Sequence, residues 1–152
     1  AKEHFRECHS IEVIEERYKN CLAKFKNDPH VHLHLGLSQE VLPKIIDPQR
    51  ETTFWLDGHF EGDDPSMVES MGGECPLMQE LEIIVNFEWQ SFPMIIIDDC
   101  WMYKHDSVYW RDGWLDKWDK SQWPSLEQIQ QVLSGYTFVE KDFIFYFVRQ
   151  GG

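Results

Sequence analysis

The chain has 152 residues, enough for one domain with a substantial core, and its composition is that of a globular protein at 42% hydrophobic. A net charge of −13, from 27 acidic against 14 basic residues, argues against nucleic acid as a partner, because phosphate neutralisation needs clustered Lys and Arg. No stretch approaches the ~18 uncharged apolar residues of a membrane span, and the opening residues are polar and charged, unlike a secretory leader.

Ala1 to Arg6 reads as the last turns of a helix. A helix entering directly on a strand implies an earlier strand upstream, so the chain is expected to be a fragment lacking its first strand. Cys8 to Val13 reads as a strand. Ile14, Tyr18, Cys21, Leu22 and Phe25 then recur at helical spacing and predict an amphipathic helix to about Lys26. Asn27-Asp28-Pro29 is a breaker, followed by a strand from His30 to Leu35. Gly36 allows a tight turn, and Ser38 can cap a short helix through about Ile46.

Thr52 to Asp57 reads as the third strand. A long loop follows to about Glu74, and its length suggests a functional segment. Pro76 opens a helix carrying Leu77, Leu81, Ile84 and Val85 on one face. Pro93 to Asp98 is the fourth strand, and its run Ile95-Ile96-Ile97 suits a parallel strand buried on both faces. Trp101 to Trp123 is aromatic and charged without clean periodicity. Pro124 and Ser125 start a helix with Leu126, Ile129, Val132 and Leu133. Two strands close the chain, Tyr136 to Glu140 and Phe143 to Arg149, with Asp142 near their antiparallel junction. The alternation predicts one α/β domain over residues 1–152, a mostly parallel sheet covered by helices with a C-terminal antiparallel hairpin.

Two of these strands run straight into acid, Phe54-Trp55-Leu56-Asp57-Gly58-His59 and Ile95-Ile96-Ile97-Asp98-Asp99. Ligands of open α/β sheets sit at the carboxyl ends of the strands. Asp57, Asp98 and Asp99 are hard oxygen donors suited to Mg²⁺ or a similar divalent cation. His59 is the nearest candidate base, since its pKa can lie near neutrality. The alternative is that these acids only cap the loops and helices that follow.

Cys8, Cys21, Cys75 and Cys100 show no C-x-x-C pair or zinc-like spacing, which suggests reduced thiols in a cytoplasmic protein, although their even number leaves disulfides open. His30, His32 and His34 alternate and should share one strand face. Three imidazoles in a row can bind a transition metal, while half-exposed polar residues are also ordinary on an edge strand. The Trp-rich segment can form a substrate lid, an oligomer interface or a local core.

The element order resembles the class I S-adenosylmethionine-dependent methyltransferases. The local motifs are similar to the magnesium-dependent small-molecule O-methyltransferases, such as the catechol and macrocin enzymes. His9-Ser10-Ile11-Glu12 resembles the motif whose terminal acid contacts the cofactor ribose, which implies that role for Glu12. Leu56-Asp57-Gly58-His59 and Ile97-Asp98-Asp99 resemble the metal-ligand motifs at two later strands. Trp123-Pro124-Ser125-Leu126-Glu127 resembles a Pro-Ser-Leu helix start in related proteins. The resemblance implies a Rossmann-like fold and methyl transfer to a small-molecule hydroxyl. It also implies S-adenosylmethionine as cofactor, with contacts from Glu12, Ser38 and Asp57.

Three departures stand beside it. The Gly-rich turn that cradles the methionine end of the cofactor is absent. Leu37 stands where the family usually has Asp. Phe60 stands where catechol-type enzymes carry a Lys three residues past the metal Asp. Two other readings use the same residues: a metal-dependent nucleotide-sugar glycosyltransferase, and a non-catalytic methyltransferase-like interaction module.

Overall fold

The computed structural model of the chain describes residues 4–59, 68, 73–113, 115 and 118–149. The chain divides into two compact units, Ala1–Ile45 and Ile46–Gly152, and each has its own sheet.

The first unit contains β1 (Cys8–Glu12), α1 (Glu15–Phe25), β2 (Val31–Leu35) and α2 (Ser38–Ile45). Glu15 and Glu16 in the first turn of α1, and Lys24 in the last, complement the helix dipole. Asp28 ends the helix. Its N–H donates to the Phe25 carbonyl, and its Oδ1 accepts from the His30 N–H at 3.2 Å, turning the chain into β2. β1 and β2 pair in parallel from Cys8 opposite Val31 to Glu12 opposite Leu35, with α1 as the crossover between them.

Gly36 then turns the chain at φ 143°, with its N–H donating to the Glu12 carbonyl at 3.0 Å. A Cβ there would lie 3.2 Å from Val41 Cγ2, so both backbone and space call for glycine. Val41 and Leu42 of α2 are buried. His4 to Glu7 is turn and coil rather than the helix end expected there. That stretch has no apolar repeat, and a turn or two of isolated helix cannot offset the cost of nucleation.

The second unit is built on β3 (Thr53–Leu56), β4 (Met94–Ile97), β5 (Thr137–Lys141) and β6 (Ile144–Val148), in the order β3-β4-β6-β5. β3 and β4 are parallel, whereas β6 is antiparallel to both β4 and β5. The sheet is therefore mixed: the parallel β3–β4 pair is extended by the antiparallel C-terminal hairpin. The tight β5–β6 turn sends β6 back between β5 and β4, which makes both of its pairings antiparallel. The fold class is α/β, with the expected C-terminal hairpin present.

Ile95 and Ile97 are fully buried and Ile96 is only 8% exposed, as a strand covered on both faces requires. α3 (Leu77–Val85) contributes Leu77, Leu81 and Ile84 to the core, and α5 (Leu126–Val132) contributes Ile129 with Leu133 just beyond it. A capping box opens α5. Ser125 Oγ accepts from the Gln128 N–H, and Gln128 Oε1 accepts from the Ser125 N–H at 2.7 Å, an arrangement typically worth ~1 kcal/mol.

Between β4 and α5 the aromatic segment forms 3₁₀ turns at Cys100–Tyr103 and Lys120–Gln122 and a short helix, α4 (Val108–Arg111). Trp123 is buried against the rings of Tyr103 and Trp118, and Trp110 Nε1 donates to the Met102 carbonyl at 2.7 Å. These rings build a local core; Trp114 lies outside the described residues. All four cysteines are free thiols, with Cys100 buried and the others half-buried. Among the described residues no helix is long and apolar enough to cross a membrane.

Candidate metal centre at the acid-tipped strands

β3 and β4 run side by side in register, with Leu56 opposite Ile97, and the Asp98 N–H donates to the Leu56 carbonyl at 3.1 Å. Their carboxyl ends therefore leave the sheet together, bringing residues 57–59 beside residues 98–99. His59 lies between the two tips. Its Nδ1 is 3.6 Å from Asp57 Oδ1 and its Nε2 is 3.5 Å from Asp99 Oδ2.

The imidazole is 3% exposed while the Asp57 and Asp99 side chains are 49% and 32% exposed. A buried base thus sits beneath two carboxylates that reach solvent. One ligand atom from each of Asp57, His59 and Asp99 lies within 4.8 Å of the other two.

Asp98 is not part of this group. Its Oδ1 accepts from the Asp99 N–H at 2.9 Å. The Asp99 backbone is left-handed at φ 50°, which Asp tolerates better than most residues. Trp101 Nε1 donates to Asp99 Oδ1 at 2.9 Å and leaves Oδ2 facing His59.

Around His59 the wall is aromatic and acidic. The Trp123 ring centroid lies 5.3 Å from that of His59. Trp123 Nε1 donates to Glu74 Oε2 at 2.9 Å, and the Asp119 N–H donates to the same oxygen at 3.0 Å. Gly58 passes close to α3: a Cβ there would lie 3.1 Å from Oε1 of the buried Glu80. Burial first, with the carboxylates of Glu80 and Asp57 adding to it, pushes the Tyr103 hydroxyl well above its ordinary pKa, so it stays protonated.

Glu80 was legible as an anomaly, a carboxylate on the apolar face of a predicted helix beside Leu77, Leu81 and Ile84. Glu74 and Tyr103 carried no such signal.

Two oxygen donors and one imidazole nitrogen make a three-ligand set that leaves coordination positions open. Asp57 and Asp99 alone suit Mg²⁺, which binds through one or two carboxylates and keeps several waters. Drawing in His59 would move the preference toward Mn²⁺ or Zn²⁺.

Of the residues expected to touch the cofactor, Glu12 and Ser38 belong to the first unit and Asp57 to the second. Glu12 ends β1, and its Oε1 accepts from the Ile14 N–H at 2.8 Å. Ser38 is the first residue of α2 rather than its cap, and its hydroxyl donates to Gln39 Oε1 at 3.3 Å. Phe60 lies outside the described residues.

No protein-family model matches the chain, and neither does any curated protein. A solved structure similar to it is the crystal structure of a "putative caffeoyl-CoA O-methyltransferase from Staphylococcus aureus", at 15% identity and a TM-score of 0.49. The match covers 93% of this chain and 64% of that one. So distant a likeness says nothing of activity.

Proposed function

We propose that the chain carries out metal-assisted transfer of a methyl group from S-adenosylmethionine to a hydroxyl of a small molecule. One observation carries this reading: two in-register parallel strands deliver Asp57 and Asp99 to one rim, with the buried His59 between them. The order of the elements and the strand-end motifs support the choice of methyl transfer among reactions that use such a rim.

S-adenosylmethionine supplies an electrophilic methyl on a sulfonium, and a divalent cation at the acceptor oxygen lowers the pKa of that hydroxyl. Asp57 and Asp99 would hold the cation, with Asp98 keeping the Asp99 backbone in place. His59 would take the hydroxyl proton, since a base must lie within reach of the atom it deprotonates. Glu12, whose Oε1 accepts from the Ile14 amide, would offer its carboxylate to the ribose hydroxyls. Leu37 offers no polar contact to the adenosine.

Calorimetric titration with Mg²⁺ and with S-adenosylmethionine tests both halves. Saturable heat from each is expected, with Asp57→Asn and Asp99→Asn losing only the cation response. Absence of heat from either ligand would sink the reading. Thermal stabilisation by a nucleotide-sugar with Mn²⁺, and none by S-adenosylmethionine, would replace it with glycosyl transfer.

A further inference from the structure

The parallel register of β1 and β2 places His9 directly opposite His32, and alternation brings His34 onto the same face. Glu7 precedes β1 by one residue, at the His9 end of this row. Its Oε2 lies 3.9 Å from His9 Nε2. One ligand atom from each of Glu7, His9 and His32 lies within 4.8 Å of the other two. The His9 and His32 rings are 4.7 Å apart between centroids.

The other nitrogen of His9 is already engaged. His9 Nδ1 and His34 Nε2 are 3.1 Å apart, and the two rings are nearly parallel at 6°. Two bare lone pairs would repel at that distance, so one proton is shared between them. With that proton on His9 Nδ1, the Nε2 lone pair is presented toward Glu7 and His32. Metal-bound imidazoles are oriented in this way, the distal N–H donating to an outer acceptor that fixes the tautomer.

We propose that Glu7, His9 and His32 form a binding site for a first-row divalent transition cation, with His34 as the positioning residue for His9. Two imidazoles and a carboxylate favour Zn²⁺, Cu²⁺ or Ni²⁺ over Mg²⁺ or Ca²⁺. Zn²⁺ sits ~2.0–2.1 Å from imidazole nitrogen, so tetrahedral ligand atoms lie ~3.3 Å apart. The side chains therefore need to close by at most about 1.5 Å, which exposed rotamers on a fixed strand pair can supply. Water completes the coordination from the open side. The inference is independent of the methyltransferase reading, because that reading gives no role to Glu7, His9, His32 or His34.

The test uses the full chain without an affinity tag, carrying Asp57→Asn and Asp99→Asn to silence the other candidate centre. Calorimetry with Zn²⁺ should show one saturable site in the micromolar range. His9→Gln and His32→Gln should each weaken it at least about tenfold, His34→Gln by a few fold, and His30→Gln not at all. Cu²⁺ bound there should show nitrogen superhyperfine splitting in its electron paramagnetic resonance spectrum, reduced in His9→Gln. Unchanged Zn²⁺ affinity in a His9→Gln/His32→Gln double variant, or no saturable binding, would overturn the proposal.

Discussion

Asp99 performs several tasks at one position. It accepts the Trp101 indole proton, faces His59 and bends the backbone into the left-handed region. Asn tolerates that conformation and keeps an acceptor for Trp101. Asp99→Asn should therefore melt within a few degrees of the parent while losing at least about tenfold in divalent cation affinity. Calorimetry and a thermal scan on the same sample check the two halves.

Glu74 presents a different case, because Trp123 Nε1 and the Asp119 N–H share one of its oxygens. Glu74→Ala leaves two donors without their acceptor, at a cost of about 2–4 kcal/mol in a urea titration, whereas Glu74→Gln keeps an acceptor and should lose less. The cysteines separate by environment. Burial raises the Cys100 thiol to about 12 and the Cys75 thiol to about 11. Alkylation at pH 8 should leave Cys100 unmodified until denaturant is added, as peptide mapping would show.

Among the elements, the β5–β6 turn is built against local preference. Asp142 and Phe143 both have positive φ, the geometry of a type I′ turn, which favours Asn-Gly or Asp-Gly. Phe143 is 61% exposed, so its ring contributes little packing to set against its backbone strain. Phe143→Gly is expected to stabilise the second unit by roughly 1 kcal/mol, read from the denaturation midpoint.

Elements were also where the sequence spoke most clearly. The period of Tyr18, Cys21 and Phe25, the breaker at Asp28, the Pro-Ser start of α5 and the Ile95-Ile96-Ile97 run each located an element to within a residue or two. What local pattern could not supply was register. That His9 stands beside His32, and that Leu56 stands beside Ile97, are facts of pairing between distant segments. The alternation of His30, His32 and His34 hinted at an imidazole face but gave no sign of His9 and Glu7 as its other members. Nor could sequence show that Asp98 Oδ1 would accept its neighbour's amide while Asp99 joins His59, because Asp98 and Asp99 read alike on paper.

At the scale of the molecule, three of the described histidines bear on the response to acid. Burial first, and then neighbouring positive groups, lower the pKa of His9, His34 and His105 below the ordinary 6.5. The folded chain therefore keeps them neutral where the unfolded chain would already take up protons. Their contribution to stability is present above pH 6.5 and is lost as pH falls through the folded values. His105 Nε2 is buried without a hydrogen-bond partner, so His105→Gln should flatten the decline. Urea midpoints at pH 7.5 and pH 5.5, compared between the parent and His105→Gln, read that difference.

The hairpin turn reaches back to the acid rim. The N–H of Cys100, the residue after Asp99, donates to the Phe143 carbonyl at 2.8 Å, and β6 runs antiparallel along β4 below it. The turn that follows the acid-tipped end of β4 is therefore braced by a segment made well after it during synthesis. Asp57, His59 and Asp99 leave the ribosome before that brace exists, with the β3–β4 pairing to bring them together. A chain stopped after Gly135 would keep all three side chains and the β3–β4 register while losing the Cys100–Phe143 bond.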